Sequence, residues 1–419
     1  MAKNEIQEMS NFAFLFCKAY GFFMSLGKKQ HFVYNFPKDT FKNRQVIIIS
    51  DHASLDSFLN ILKGLPIPKK IHAVIGDMHF RRPKVGSLFN MVKCLGIRPY
   101  VTDAPALRNM IKAVQLGHSL VFFPEGMYSF CGLTHPIPPA TIKFLKKMHT
   151  DVVLALANGE FLATPRFQKD HKSGPVEITF THLFTKAELE EKTVEELEEK
   201  LLKHFKYNDF KWNGEKKHHY IGKLPNCSGI EKIIYSCPKC KRNGVLHTEG
   251  NEIICKECGN TIVMDDTYSI KPKTDKDFLP YTRVDEWYLH QRHMVREQIR
   301  NEKGCTFEYE VKLNRLNEED GSSMFKRSGE GKLIISEDGT RFIGVENGEE
   351  TEIFIPIHKS LGASNQDNKF LVLYESDKPI AFEFPEVAPL IIQAQAAVEE
   401  FHALVDAPWE KAVNRAYFS

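Results

Sequence analysis

The sequence predicts three folded parts in order: an α/β domain with a mixed sheet flanked by helices, a small cysteine-bearing module, and a small antiparallel β-barrel closed by a C-terminal helix. Three observations predict this order. Apolar runs such as residues 46–49 end abruptly in polar clusters, as buried strands of open α/β sheets do. Two Cys-x-x-Cys pairs follow one another closely, and from Thr306 onward apolar and polar residues alternate with period two.

Composition sets the outer limits of the interpretation. The 419 residues suggest about three domains, and 42% apolar residues are enough to form buried cores. The net charge of +2 gives no indication for or against nucleic acid, and we expect no nucleic-acid partner. Nine cysteines is an odd number, which disfavours a complete disulfide framework.

Residues 1–30 predict an amphipathic helix that associates with a membrane. Large apolar residues recur there at helical spacing. Lys18 interrupts the run, which is shorter than the roughly 20 apolar residues of a membrane span. We expect the helix to lie in the interface, with Lys28 and Lys29 near anionic headgroups. The alternative is a helix that packs on the protein's own core. The apolar residues are Phe12, Leu15, Phe16, Ala19, Phe22, Phe23 and Leu26.

A first polar cluster follows the apolar run 46–49. Ser50 and Asp51 have the residue types of a helix N-cap, and His52 and Asp56 stand four positions apart. On a helix that starts here, the carboxylate of Asp56 would hold one ring nitrogen of His52 and leave the other as a proton acceptor. No serine or cysteine is placed as a nucleophile, so this pair predicts a general base that activates a bound hydroxyl.

A second polar cluster follows the apolar run 120–123 and begins with its last residue. It consists of Phe123, Pro124, Glu125 and Gly126. A rigid φ, a carboxylate and an unhindered backbone N–H come together at this strand end. Because ligands of open α/β sheets bind at the carboxyl ends of strands, we expect the two clusters to converge on one site.

The two clusters, in this order and spacing, resemble the glycerolipid acyltransferase family, which includes the lysophosphatidic acid (1-acylglycerol-3-phosphate) type. The resemblance covers roughly residues 35–215 and implies a catalytic domain over residues 31–222. It implies an O-acyltransferase of phospholipid biosynthesis or remodelling. A fatty acyl group would pass from acyl-CoA or acyl carrier protein to the hydroxyl of a lysophospholipid-like membrane lipid.

The resemblance also implies roles for individual residues. His52 would be the general base, with Asp56 orienting its ring, and the Phe123 to Gly126 block would shape the acceptor site. The family's usual spacing is one residue longer between histidine and aspartate, and its phosphate-binding arginines are absent. Arg98 and Arg108 are the predicted substitutes, since a guanidinium grips phosphate with two hydrogen bonds.

These departures leave two alternatives open. One is a non-catalytic lipid-binding or scaffolding protein that retains the fold. The other is acyl transfer to an unusual hydroxyl, such as that of a glycolipid, which a pocket lined by Met127 and Tyr128 in place of arginine would favour.

Residues 223–264 predict a zinc ribbon. Its ligands are Cys237, Cys240, Cys255 and Cys258, in two Cys-x-x-Cys knuckles. Four thiolates complete a tetrahedral shell and leave no open position, so the zinc would be structural. Free thiolates require a reducing compartment. We therefore expect a cytoplasmic protein that is peripheral on the cytoplasmic face of the membrane.

The remaining segments predict connecting and accessory elements. Thr193 and Glu196 form a capping box that opens a helix ending near Phe205. Residues 265–305 form a linker with a helix over 283–300. Residues 306–419 contain six alternating runs and then one apolar helical stripe, an arrangement that looks like the pleckstrin-homology or GRAM type of barrel. The runs are 307–316, 332–335, 341–345, 353–357, 370–374 and 380–384.

Overall fold

The computed structural model describes residues 6–24, 29–54, 57–66, 70–82, 86–317, 323–359, 361–366, 368–376, 378–385 and 390–418. The strands of the α/β domain are β1 (Lys29–Tyr34), β2 (Ile47–Ser50), β3 (Ile71–Gly76), β4 (Leu95–Ile97), β5 (Ser119–Phe122), β6 (Val152–Asn158) and β7 (Pro175–Phe184). Its helices are α1 (Asn11–Met24), α2 (Ser57–Gly64), α3 (Gly86–Met91), α4 (Ala104–Gln115), α5 (Ala140–Met148), α6 (Glu160–Ala163), α7 (Lys186–Glu191), α8 (Val194–His204) and α9 (Asp209–Lys216).

The seven strands form one mixed sheet in the order β1-β7-β6-β2-β5-β3-β4. Only β6 and β7 pair antiparallel, and the other neighbours pair parallel. Alternate residues of the central strands enter different cores: Ile48 and Val121 pack with α1 and α2, while Ile47 and Leu120 pack with α4, α5 and α8. Both sheet faces are covered, which explains the continuous apolar runs. The predicted mixed sheet flanked by helices is confirmed.

The structure corrects the local prediction around His52. Helix α2 begins at Ser57, so residues 52–54 are not helical and Ser50 and Asp51 do not cap a helix that contains His52. Asp51 is instead buried, and its carboxylate accepts a hydrogen bond from the backbone N–H of Ala157 on β6. The capping box at Thr193 and Glu196 is confirmed, and it opens α8.

Helix α1 turns its small residues toward the protein. Ala13, Cys17 and Gly21 are buried, and a Cβ on Gly21 would lie 3.4 Å from the Cβ of Leu59 in α2. The large residues point outward, with Phe12 71% exposed. The predicted stripe of large apolar side chains is therefore not the face that packs on the domain. No helix in the described part of the chain is long and apolar enough to cross a membrane.

A small antiparallel sheet follows the α/β domain. Its strands are β8 (Leu246–Glu249), β9 (Glu252–Cys255), β10 (Thr261–Met264) and β11 (Ile270–Pro272), in the order β11-β10-β9-β8. Helix α10 (Val284–Asn301) packs beside it. The indole N–H of Trp287 donates to the carbonyl of Ser236, and the side-chain oxygen of Gln291 accepts from the backbone N–H of Tyr235 and Ser236.

The described residues of the C-terminal region form seven strands and two α-helices. The strands are β12 (Phe307–Leu316), β13 (Phe325–Ser336), β14 (Gly339–Glu346), β15 (Glu349–Pro356), β16 (Ser364–Gln366), β17 (Phe370–Glu375) and β18 (Lys378–Glu383). The helices are α11 (Ile391–Val405) and α12 (Ala407–Tyr417). The predicted strands are confirmed, while β16 and α12 were not predicted.

The prediction of a closed barrel is wrong for the described strands. They form an open antiparallel sheet in the order β15-β14-β13-β12-β18-β17-β16, with β15 and β16 at its edges. Helix α11 packs against β13, β14, β16 and β17, which belong to both halves of the sheet. A barrel would pair β15 with β16, whereas among the described strands these two remain edges and α11 covers one face of the sheet. The likeness to pleckstrin-homology or GRAM domains, which rested on a run of strands followed by one helix, stays a prediction.

Helix α11 is buried on nearly every side, because α10 and α12 cover its polar face. Arg292 on α10 pairs with Glu399 at 2.7 Å and with Glu400 at 3.2 Å, and Arg296 pairs with Glu400 at 2.6 Å. The Arg292 guanidinium also lies 3.8 Å from the ring centroid of Tyr417. A single apolar stripe was therefore an incomplete description of this helix.

Candidate functional site

The two polar clusters meet because β2 and β5 are parallel neighbours. Ile47, Ile48 and Ile49 pair with the three residues 120–122, so both strands end at the same edge of the sheet. There the imidazole of His52 lies between two rings. Its centroid is 3.9 Å from that of Phe123, at an interplanar angle of 11°, and 3.8 Å from that of Tyr128, at 36°. Aromatic packing holds the imidazole in place.

The half-buried His52 has the properties of a neutral imidazole. Burial lowers its pKa well below the usual value, and the nearby positive charge of Arg166 and the charge of His79 lower it further. Its Nδ1 atom is buried and has no hydrogen-bond partner among the described residues. Asp56, the predicted partner of this ring, lies outside the described residues. A neutral imidazole has one nitrogen that can accept a proton.

Glu125, a residue of the second cluster, is hydrogen-bonded to the backbone of the first cluster. It is fully buried, and its carboxylate accepts hydrogen bonds from the backbone N–H of His52 at 3.3 Å and of His135 at 2.5 Å. The Tyr207 hydroxyl donates to it at 3.2 Å. Burial outweighs these hydrogen bonds and raises the pKa of Glu125 to about 8. Glu125 is not among the residues that line the neighbouring cavity.

Three more buried carboxylates bind loops at the same end of the sheet. Asp51 holds β6, as described above. Glu160 accepts from the hydroxyl of Ser54 at 2.5 Å and from the side-chain amide of Asn60 at 2.8 Å. Asp209 accepts from the backbone N–H of Gly159 and of Phe161, both at 2.9 Å, and burial raises its pKa to about 7. Sequence reasoning interpreted Asp51 as a helix N-cap and did not single out Glu160 or Asp209, although Glu160 follows strand β6 just as His52 follows β2.

A cavity of about 1960 Å³ opens beside His52. Its lining includes His52, Tyr128 and Arg166 from the α/β domain and Gln366 and Asn368 from the C-terminal sheet. The C-terminal sheet therefore supplies part of the wall of the candidate site. No local sequence signal marked this contact, because it joins segments about 200 residues apart: the side-chain amide of Asn368 donates to the carbonyl of Arg166 at 2.6 Å.

The predicted substrate-binding residues fall into two groups. Phe123, Pro124 and Gly126 line the cavity, and so does Arg98. The guanidinium Nε of Arg98 lies 3.3 Å from Asp103, whose pKa is lowered by these hydrogen bonds in spite of burial. Arg108 is exposed on α4 and is not part of the lining. Met127 and Tyr128 do line it.

The four predicted metal ligands come together at the edge of the small sheet. The sulfurs of Cys237, Cys240, Cys255 and Cys258 all lie within 4.8 Å of one another. Two of the S···S distances are 3.7 Å. Sulfurs arranged tetrahedrally at about 2.3 Å from a zinc ion would lie about 3.8 Å apart. The cluster can therefore hold a metal ion, and its geometry fits zinc.

Comparisons with known proteins add one finding. No family model and no curated protein sequence matches the chain. The crystal structure of the 1-acyl-sn-glycerophosphate (LPA) acyltransferase PlsC from Thermotoga maritima is similar to part of it, with 18% identity and a TM-score of 0.38. The match covers 44% of this chain and 75% of that chain. Likeness at this level says nothing about the reaction.

We predict that Glu125→Gln destabilises the protein and weakens the pH dependence of its stability. Each oxygen of Glu125 accepts a hydrogen bond from a backbone N–H group. The NH₂ group of glutamine would face one of these donors and leave it without an acceptor, at a cost of about 1–3 kcal/mol. The folded-state pKa of about 8 lies above the usual value of 4.5, so the parent protein should lose stability as pH rises through that window.

The measurement is the free energy of unfolding in urea at about pH 5.5 and about pH 8. The decrease in the free energy of unfolding from the lower to the higher pH should be smaller in Glu125→Gln than in the parent. Glu308→Gln, which changes a half-exposed carboxylate paired with Lys332, is the control and should leave the drop unchanged. Equal drops in Glu125→Gln and the parent would show that Glu125 does not titrate in this range.

Proposed function

We propose that this protein is an O-acyltransferase that moves a fatty acyl group from the thioester of acyl-CoA or acyl carrier protein to a hydroxyl of a lysophospholipid-like acceptor at a membrane surface. The observation that carries the proposal is a neutral, ring-stacked His52 on the wall of a cavity of about 1960 Å³. Single-ligand pockets reach only about 1,000 Å³, so this cavity is large enough for both a donor and an acceptor.

In the proposed reaction, His52 acts as the general base. Its unprotonated nitrogen takes the proton of the acceptor hydroxyl, while Phe123 and Tyr128 hold the ring in position. The hydroxyl oxygen attacks the thioester carbonyl, and an ester bond forms as the C–S bond breaks. The imidazolium then returns the proton to the departing thiolate. Asp56 is the proposed partner that orients the ring.

A non-catalytic lipid-binding protein is the second candidate, and one observation favours it. Burial and positive neighbours lower the pKa of His52 well below its usual value, and a weaker base accelerates proton transfer less. Such a protein would use the same cavity to hold a lipid. Activity of the purified protein distinguishes the two candidates.

We expect His52→Ala to reduce acyl transfer by about 10²–10⁴-fold, because a positioned general base contributes that much to rate. The assay follows labelled acyl groups from acyl-CoA and from acyl carrier protein to a panel of lysolipids. His219→Ala changes an exposed histidine of the same domain, outside the cavity lining, and should leave transfer unchanged. Equal activity in His52→Ala and the parent, or no transfer to any acceptor, would favour the lipid-binding candidate.

We further propose that α1 attaches the protein to the membrane. Five of its six aromatic residues are exposed, whereas the small residue Gly21 packs on α2. Apolar side chains at this density suit insertion into a lipid interface. The four cysteines support a reducing compartment, so the attachment would be to the cytoplasmic face.

Replacing Phe12, Leu15 and Phe23 together by serine should weaken binding to lipid vesicles at least about 100-fold, since each removes an apolar side chain that would enter the interface. Co-sedimentation with vesicles measures this. The control replaces Ile343, Val345 and Phe354, which are exposed apolar residues of the C-terminal sheet, by serine. If only the control loses binding, the C-terminal sheet is the attachment surface.

We propose zinc as the ion of the four-cysteine cluster, with a structural role, because four sulfurs leave it no open position. One zinc per chain should be found by elemental analysis.

A strong chelator, or Cys258→Ser, should remove the zinc and broaden the NMR signals of residues 237–264, while the signals of the His52 domain are retained. Cys305→Ser changes a cysteine outside the cluster and should keep the metal. Sharp ribbon signals without metal would contradict the proposal.

A further inference from the structure

The lining of the cavity is strongly cationic, although the chain as a whole is nearly neutral. Among the described residues, the lining contains nine arginine and lysine side chains and three aspartates. The whole chain has 56 basic and 54 acidic residues. Two of the three aspartates already have a cation: Asp103 pairs with Arg98, and Asp170 pairs with Lys172 at 2.9 Å. Because a concave surface of one sign of charge attracts ions of the other sign, the cavity suits an anionic ligand.

Three of these cations belong to, or contact, the segment 164–174 that connects α6 to β7. Arg166 and Lys169 lie in this segment, and the ammonium group of Lys232 donates to the carbonyl of Phe167 at 3.1 Å. Lys169 is exposed, whereas Arg166 and Lys232 are half-buried. Lys169 and Lys232 form no ion pair within the described part of the chain. We call Arg166, Lys169 and Lys232 the cation cluster.

Hydrogen bonds from distant parts of the chain hold this segment in place. The side-chain amide of Asn368, in the C-terminal region, donates to the carbonyl of Arg166 at 2.6 Å. The side-chain amide of Gln168 donates to the carbonyl of Asn226 at 3.2 Å, and Phe167 between them is fully buried. A backbone that is fixed before binding reduces the entropy lost when a ligand is held.

The cation cluster lies beside the proposed base. The Arg166 guanidinium is 4.2 Å from the ring centroid of Tyr128, and the His52 centroid is 3.8 Å from the same point. As a cation on this aromatic ring, the guanidinium therefore lies within about 8 Å of the imidazole centroid, the sum of the two distances. Its positive charge also lowers the pKa of His52. A ligand held by Arg166 can thus reach His52 within one cavity.

The residue types of the cation cluster favour phosphate. A guanidinium binds phosphate through two parallel hydrogen bonds, and a lysine ammonium binds it as a point charge. Arg98 and Arg108 are placed less well for this role, since Arg98 pairs with Asp103 and Arg108 is exposed outside the lining. Both proposed substrates carry phosphate: a lysophospholipid in its headgroup, and acyl-CoA at its nucleotide end. Neither carries a free carboxylate.

We propose that Arg166, Lys169 and Lys232 form a phosphate-binding subsite that holds a phosphate group of a substrate next to His52. This inference rests on the proposed acyl transfer and deepens it, because it requires that at least one substrate be recognised through phosphate. The segment that carries the subsite is held by Asn368 and Asn226, so parts of the chain beyond the α/β domain help to build it.

The test compares substrates with and without phosphate. Lysophosphatidic acid is paired with monoacylglycerol as the acceptor, and acyl-CoA with S-acyl pantetheine as the donor. Arg166→Gln and Lys169→Gln should each lower kcat/KM about tenfold for the phosphate-bearing member of one pair, mainly through KM, and less than about twofold for its phosphate-free counterpart. The pair that shows this difference identifies the source of the phosphate. Arg166→Lys keeps the charge and should recover part of the loss.

Two features make the comparison selective. Arg166 contacts Tyr128, so its removal could act on the base alone, and that effect would be equal for all substrates. Lys169 is exposed and is not part of the ring stack, so Lys169→Gln tests the subsite independently. Lys211→Gln, an exposed lysine of α9 outside the lining, is the matched control and should change no value. Equal losses with all four substrates, or no loss in Lys169→Gln, would overturn the inference.

Binding separates this inference from catalysis. Equilibrium dialysis of labelled lysophosphatidic acid and of labelled coenzyme A against full-length His52→Ala protein should show that at least one binds, and that Arg166→Gln weakens this binding about tenfold. If no acceptor is acylated but this binding is found, the acyltransferase proposal fails and the subsite stands. If transfer depends on His52 but neither ligand is bound through Arg166, the subsite fails and the proposed function stands.

Discussion

Hydrogen bonds from backbone N–H groups to buried carboxylates at one end of the sheet hold the candidate site together. Glu125 accepts hydrogen bonds from His52, just after β2, and from His135 in a loop. Asp51, at the same strand end, accepts from β6. Asp209 on α9 accepts from the residue before α6. Strand pairing stops at this edge, so the loops have no ladder partners there. The carboxylates replace those partners, and their burial raises the pKa of Glu125 and Asp209.

The most prominent of these carboxylates, Glu125, has a structural role and does not line the cavity. Glu125 belongs to the most conspicuous motif of the chain, yet both of its oxygens accept from groups of the protein and it does not reach the cavity. The residues on either side of it, Pro124 and Gly126, line the cavity instead. Because Glu125 also accepts from the backbone N–H of His52, it positions the segment that carries the proposed base.

The C-terminal region contacts the α/β domain next to the candidate site. The Tyr417 hydroxyl lies 2.5 Å from the His135 ring, next to the loop that Glu125 holds, and the Tyr374 hydroxyl donates to Asp77 at 3.1 Å. Behind these contacts, the buried ion pairs of Arg292 with Glu399 and Glu400 fix α11 against α10. Breaking such a pair would leave an uncompensated buried charge, which disfavours separation of α10 and α11.

Local patterns in the sequence determined the elements whose signal lies within a few residues. The apolar runs at β2 and β5, the capping box at Thr193 and the spacing of the four cysteines all depend on short-range geometry, and the structure shows each of them. The meeting of the two polar clusters was expected because each follows a strand at its carboxyl end, and it depends on the parallel pairing of β2 with β5, which the structure supplies. Tertiary structure alone decided that the segment at His52 is not helical, that α1 packs by its small residues, and that α11 buries both faces. It also placed Gln366 and Asn368 on the cavity. These outcomes depend on which distant segment covers a given face, and a periodic pattern records only that a face is apolar.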